Sequence, residues 1–319
     1  MFGVEELKEK IEITKTTVEC PVKGCSEKVE RQRGYFRKEN RFKCPKHDIV
    51  ISPSTFEYPN ELDNLLWKER SDLDLLERIR TKKRESRIAR DNSEDAVSWN
   101  VFRFLERNDL IEGFLGSITD SSLKSSEVLY WSYSQKENTG WSLLDRARRE
   151  FGERIERGSE PDIIIKTDKA LFFIEAKLTS PNTTKPSNLG YSKKYETGAD
   201  NWLSEVFTSD YKTVAITEQK YELLRFWLLG TWMAKQQDMD FYLINLVLSE
   251  RELDIETIFK KHIRETQRRQ FLRVTWEDIH RFVSERELLR DTEIMMRYFR
   301  NKTIGYDRNG RLQTAFSIF

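Results

Sequence analysis

The chain has 319 residues, 38% hydrophobic and 34% charged, enough apolar material for one good-sized core and an accessory module. No apolar window approaches the roughly 18 residues of a membrane span. The N-terminal MFGVEELKEK lacks a signal-peptide apolar region, so a cytoplasmic protein without a membrane partner is the expectation. Lys and Arg total 55 against 54 Asp and Glu, a net charge of +1, so nucleic acid can be argued only from local clusters of charge.

In chain order, the first signal is the cysteines. All three, Cys20, Cys25 and Cys44, lie in the first 44 residues, and His47 follows closely. The spacing C-x4-C, then C-x2-H, offers three thiolates and an imidazole, a closed tetrahedral set for structural Zn²⁺. Gly24 bends the first knuckle, and Cys44-Pro45-Lys46-His47 is equally tight. Two short strands are expected between Lys28 and Lys43, turning at Arg33-Gly34. The whole resembles a zinc ribbon, rich in Arg31, Arg33, Arg37, Lys38, Arg41 and Lys43. Such a ribbon either contacts nucleic acid or packs on the main domain; free thiols are the bland alternative.

Ser52-Pro53-Ser54 and Tyr58-Pro59-Asn60 mark a linker. Leu62, Leu65, Leu66, Leu73, Leu76 and Ile79 then recur near helical spacing, predicting a connecting helix from Glu61 to about Ile88, broken near Ser71. It ends in RIRTKKRESRIAR, Arg78 to Arg90, with seven basic residues against one Glu. Arg80, Lys82, Lys83, Arg84 and Arg87 are the candidate phosphate contacts, against the alternative of a solvated helix face. A second basic stretch runs from Lys260 to Arg273. Asn92-Ser93 caps a helix carrying Val97, Val101, Phe104 and Leu105 on one stripe. Val128 to Tyr133 reads as a strand, and Leu143 to Ile155 as a helix with Glu153 and Glu156 in solvent.

The most informative stretch is PDIIIKTDKALFFIEAK, Pro161 to Lys177. Two apolar runs flank a polar turn, the pattern of a hairpin with both strands buried. Alternation puts Glu175 and Lys177 on one face. A turn centred near Asp168 brings Asp162 to within a residue or two of the position opposite Glu175. Carboxylate oxygens suit Mg²⁺, which activates water and neutralises charge on a phosphate, while a lysine beside it orients the nucleophile. A surface Glu–Lys pair on a half-exposed strand is the plain alternative.

Pro161-Asp162, twelve residues, then Glu175-Ala176-Lys177 resembles the PD-(D/E)xK nuclease superfamily, the restriction-endonuclease-like fold. The motif is short, and its strand–turn–strand context strengthens it. The resemblance implies an α/β fold, a central mixed sheet flanked by helices. It implies Mg²⁺ or Mn²⁺ held by Asp162 and Glu175, with Lys177 positioning or activating water. A preceding helix often adds a carboxylate in this superfamily, for which Glu94 is the candidate and Asp95 the second. The helix dipole also favours acids in a first turn.

Beyond the hairpin, the polar loop from Thr179 to Ser192 is expected to contact substrate or to move. An apolar helix (Lys220 to Gln236), a buried strand (Phe241 to Leu248), a helix (Ile255 to His262), a short strand (Phe271 to Val274) and a helix from Trp276 follow. Asn309-Gly310 signals a closing hairpin. No G-x-x-x-x-G-K-[ST] loop or G-x-S-x-G elbow occurs.

The expected organisation is a zinc ribbon (1–55), a helical basic linker (56–91), a nuclease domain (92–283) and a C-terminal helix and hairpin (284–319). The expected function is metal-dependent hydrolysis of phosphodiesters, in DNA rather than RNA, in restriction or anti-phage defence by analogy. The alternatives are a non-catalytic nucleic-acid-binding protein on a nuclease fold, or an interaction subunit whose partner supplies a motor or specificity. Association of identical chains is compatible with each.

Overall fold

The computed structural model describes residues 4–82, 87–188, 190, 192–286 and 290–318. In chain order its strands are β1 (Thr17–Glu19), β2 (Lys28–Glu30), β3 (Val50–Ile51), β4 (Phe56–Glu57), β5 (Glu127–Tyr130), β6 (Tyr133–Ser134), β7 (Thr139–Gly140), β8 (Ile163–Lys166), β9 (Ala170–Ala176), β10 (Asp240–Val247), β11 (Arg269–Thr275), β12 (Thr303–Tyr306) and β13 (Leu312–Thr314). Its helices are α1 (Arg70–Arg80), α2 (Glu94–Arg107), α3 (Ile111–Thr119), α4 (Ser142–Glu150), α5 (Ser192–Val206), α6 (Tyr221–Gln237), α7 (Ile255–Lys260), α8 (Trp276–Ser284) and α9 (Thr292–Asn301). Among the described residues no helix is long and apolar enough to cross a membrane.

The chain divides into two compact units, and the division does not follow the sequence. The first gathers residues 1–73, 85–108 and 276–319; the second is 74–84 with 109–275. The boundary expected at residue 92 groups α2 with the sheet, whereas packing groups it with the chain termini. Leu312 N–H donates to the Glu9 carbonyl at 2.9 Å, so the closing β12–β13 hairpin is tied to the N-terminal segment. Below it, Lys302 and Asp91 are both fully buried and paired at 3.2 Å, with Lys302 also donating to Asn64 Oδ1 at 2.9 Å.

Two expectations for this unit change. Residues 28–43 do not fold back on themselves as two paired strands. Instead β1 pairs antiparallel with β2, with the Cys20–Cys25 knuckle as its turn, and β3 pairs with β4. The linker is not one broken helix. A 3-10 turn at Glu61–Asn64 precedes α1, and Asn64 Nδ2 donates to the carbonyls of Ile88 and Arg90 at 2.7 Å each, fastening the chain as it returns.

The second unit is α/β, a seven-stranded mixed sheet in the order β11-β10-β9-β8-β5-β6-β7 with helices packed against it. β8 lies between β5 and β9 and is antiparallel to both; β10 pairs parallel with β9, and β11 with β10. Every residue of β9 is buried, the apolar run Ala170–Ile174 together with Glu175 and Ala176. The β8–β9 turn is closed by Thr167, whose Oγ1 accepts the Ala170 N–H at 3.0 Å. Between β9 and β10 runs α6, whose residues Leu223, Phe226, Trp227, Leu229 and Met233 sit in one core with Phe173, Phe241 and Phe271.

The strand expected over Val128–Tyr133 ends early. Trp131 and Ser132 take left-handed φ values of 46° and 67°, making a two-residue turn from β5 into β6. Alternating aromatic and Ser residues imitated a continuous strand there. The helix expected to reach Ile155 stops at Glu150.

Candidate functional site

The β8–β9 register pairs Ile163 with Ile174, and one further step sets Asp162 across from Glu175. The strands thus place both residues at the same end of the hairpin, and alternation returns Lys177 to the face of Glu175. Asp162 Oδ2 accepts the Ala176 N–H at 2.9 Å, which orients its carboxylate. Lys177 Nζ pairs with Glu175 Oε1 and lies 3.3 Å from Glu222 Oε2.

Glu222 is the acid that sequence reasoning missed. It sits in the first turn of α6, and Thr184 Oγ1 accepts its N–H at 2.9 Å. The loop that leaves Lys177 therefore fixes the start of the helix that brings Glu222 back to it. An acid in a first turn is ordinary, so the sequence carried no distinct signal for it.

Electrostatics set this corner apart. The Glu175 side chain is 4% exposed and that of Lys177 13%. Burial raises the Glu175 carboxyl well above the ordinary carboxylate range, with Glu222 and Asp162 adding to the rise and Lys177 opposing it. For Lys177, burial favours loss of the proton, but Glu175, Glu222 and Asp162 outweigh it and hold the ammonium charged. Three carboxyl groups surround one ammonium, Glu175 buried and Asp162 and Glu222 part-exposed. Oxygen donors of this kind are the chemistry a divalent cation such as Mg²⁺ requires. The donors are not drawn into a coordination sphere, however. Among the described residues, the Cys20, Cys25, Cys44 and His47 set is the group of three or more His, Cys, Asp or Glu side chains whose ligand atoms all lie within 4.8 Å of one another.

Behind the acids, Asn245 of β10 is in register with Glu175 and fully buried. Its Nδ2 donates to Glu252 Oε2 at 2.8 Å, and its Oδ1 accepts from Asn182 Nδ2. Asn182 N–H donates to Glu252 Oε1 at 2.6 Å, and Lys220 Nζ to the Asn182 carbonyl at 3.2 Å. The loop expected to contact substrate or move is thus fastened over Asn182–Thr184. A lone Asn inside the apolar run FYLINLVL was the legible sign of this network.

The other sequence candidates divide. Glu94 and Asp95 open α2 in the first unit, behind the Ser93 cap, which accepts the Ala96 N–H at 3.1 Å. Arg80, Lys82 and Arg87 are exposed; Lys83 and Arg84 lie outside the described residues. The second basic stretch is occupied locally. Lys261 pairs with Glu218 at 2.9 Å, Arg268 with Asp238 at 2.8 Å and Asp240 at 2.9 Å, and Arg273 donates to the Ser249 carbonyl at 2.8 Å.

Glu153, expected in solvent, is buried. Its Oε2 accepts the Ser159 N–H at 2.6 Å, and its Oε1 accepts from Arg225 at 3.1 Å and from Tyr195 Oη at 2.9 Å. Burial alone raises its pKa, but Arg225 and Ser159 outweigh burial and hold it below the ordinary range. Glu156 is exposed as expected.

The cysteine cluster is built from both knuckles. Gly24 takes φ 75° in the first, a backbone state open to glycine at no steric cost. The Lys8 ammonium donates to the carbonyls of Cys20 and Cys25 at 3.0 and 2.5 Å, and Cys44 N–H donates to the Ile49 carbonyl at 2.9 Å. Cys25 Sγ is 3.9 Å from Cys44 Sγ, and His47 Nδ1 is 3.7 Å from the sulfurs of Cys20 and Cys44. Burial pushes the Cys20 thiol above its ordinary value, and the neighbouring sulfurs add to the rise. Three buried sulfurs and an imidazole at this separation can hold one metal ion such as zinc.

No family model, curated protein or solved structure matches this chain.

Proposed function

We propose that this protein is a Mg²⁺- or Mn²⁺-dependent nuclease of the PD-(D/E)xK type acting on DNA, with a structural zinc in its N-terminal ribbon. The observation that carries the reading is the end of the β8–β9 hairpin. Asp162 stands across from Glu175, and Lys177 lies between the buried carboxylate of Glu175 and that of Glu222. The sheet supports a restriction-endonuclease-like reading: β5, β8 and β9 form an antiparallel run, and after α5 and α6 the chain adds β10 parallel to β9.

Asp162, Glu175 and Glu222 would hold the divalent ion, which when bound supplies Lewis-acid stabilisation of the phosphate and a more acidic water. Burial shields Glu175 from bulk water, while Asp162 and Glu222 stay part-exposed. Lys177, kept charged by the acids around it, places a positive donor beside the position an attacked phosphate would occupy. The Asp162 carboxylate is oriented by the Ala176 N–H, and the backbone of Glu222 is fixed at the start of α6 by Thr184. The Cys20, Cys25, Cys44 and His47 set has no open position and serves folding. A setting in restriction or defence against foreign DNA rests on analogy with stand-alone nucleases.

One observation favours a non-catalytic protein: Lys177 already neutralises two acids, and the carboxylates do not converge as the sulfur ligands do. The test is paired. Asp162→Asn and Lys177→Ala are assayed with Mg²⁺ and Mn²⁺ on linear and circular DNA and on RNA, alongside thermal melting. A nuclease loses at least about 100-fold in turnover with either change, the scale of one deleted electrostatic group. Metal affinity falls in Asp162→Asn only, since removing Lys177 deletes a neighbouring positive charge. Variants that cut like wild type, or a wild type that never cuts, would end the nuclease reading.

A further inference from the structure

From the ribbon we infer a second binding element: the loop 31–38 forms an aromatic-tipped finger that stacks on unpaired bases of single-stranded nucleic acid. The β1–β2 ladder carries the cysteine knuckle at one end and this loop at the other. The loop reads RQRGYFRK, with four basic residues, of which Arg37 and Lys38 pair with Glu39 and Glu57, while Arg31 and Arg33 pair with no acid among the described residues. Its tip, Tyr35, is 87% exposed, the most exposed of the large apolar side chains described. An aromatic ring left in water at a cationic tip has no packing role, and it matches the stacking platforms that bind single strands.

The finger is built rather than slack. Gln32 is buried at its base, where its Nε2 donates to the carbonyls of Arg37 and Ile51 at 2.9 Å each, and its Oε1 accepts the Arg37 N–H at 2.8 Å. This pair of bonds to Arg37 closes the loop, and Gly34 turns it at φ 82°. Arg31 and Arg33 donate to the backbone carbonyls of Thr14 and Lys15 at 3.1 and 2.7 Å, so uncharged partners hold them in place. Neither makes an ion pair with an acid among the described residues, and Lys15 beside them is exposed. Fixed positive charge flanking a presented ring suits a phosphate backbone whose bases are free to stack.

This inference shares its ligand class with the proposed nuclease but not its chemistry, so it is tested by binding alone. Full-length zinc-loaded protein is titrated into labelled oligothymidylate, a blunt duplex and a polyglutamate peptide, without Mg²⁺ or chelator, over a range of salt. Tyr35→Ala is expected to weaken oligothymidylate binding about ten-fold at an unchanged salt slope, as when one base loses its stacking ring. Tyr35→Trp should restore it. Arg33→Glu should weaken single strand and duplex together and flatten the slope. Retained zinc and melting temperature check that all three variants fold. Wild type that ignores oligothymidylate, Tyr35→Ala that binds it normally, or equal losses for duplex or polyglutamate would each overturn the finger. Cleavage by wild type with a silent Tyr35→Ala would remove this inference and leave the nuclease standing.

Discussion

Glu175→Gln removes the titratable carboxyl from the buried corner and keeps its shape, so it separates what Glu175 does from what the strand does. Burial, Glu222 and Asp162 raise its pKa in the folded state. A carboxyl raised in this way contributes stability that is complete below its unfolded pKa of about 4.3 and is lost as pH rises through the folded value. Lys177 stays charged throughout and sets a constant offset. The melting temperature of Glu175→Gln relative to wild type should therefore climb as pH moves from about 5 to about 8, read by calorimetry at matched ionic strength. A difference that is flat in pH would mean Glu175 is not held against its charge. A carboxyl held against its charge lowers stability at neutral pH rather than adding to it.

Among elements, the ribbon and α6 depend on different physics. The ribbon's strands are two or three residues long, too short to fold on packing alone. Cys44→Ser should release the metal, measured as zinc per chain by elemental analysis, and make residues 1–55 protease-sensitive while the sheet stays folded. Well-folded wild type with no zinc would remove the metal centre. α6 depends instead on close approach. A Cβ added at Gly230 would sit 2.1 Å from the Phe241 ring, and that ring is held by Phe173 and Trp227 with centroids 5.5 and 5.7 Å away. Gly230→Ala should cost about 1–3 kcal/mol in urea unfolding, as overpacking does in a core that cannot yield. An unchanged midpoint would show that α6 can retreat from the sheet.

For the whole molecule, a net charge of +1 supplies no long-range pull on a polyanion, so affinity must come from local groups. The double reversal Arg80→Glu with Lys82→Glu should reduce the slope of log K against log salt by about two for duplex DNA, since each phosphate left without its cation is worth about 0.9. An unchanged slope would make the end of α1 a solvated surface. The second basic stretch offers no comparable prediction, because Lys261, Arg268 and Arg273 already serve neighbouring acids and carbonyls.

The signals legible in the chain alone are local. Spacing alone named Cys20, Cys25, Cys44 and His47, because metal ligation demands a fixed set of donors close to two turns. Apolar runs of strand length around a short polar turn determined the β8–β9 hairpin, and the two-residue period then put Asp162 and Glu175 face to face. Tertiary structure decided what arrives from far along the chain. Glu222, 45 residues from Lys177, reaches it only because α6 crosses back between β9 and β10. Glu153 reads as a solvated acid until Arg225, 72 residues away, is folded against it. Likewise α2 joins the chain termini rather than the sheet, since a stripe of apolar residues says that a face is buried but not against what. Periodicity fixes which side of an element is covered. Which partner covers it depends on the pairing of all the others.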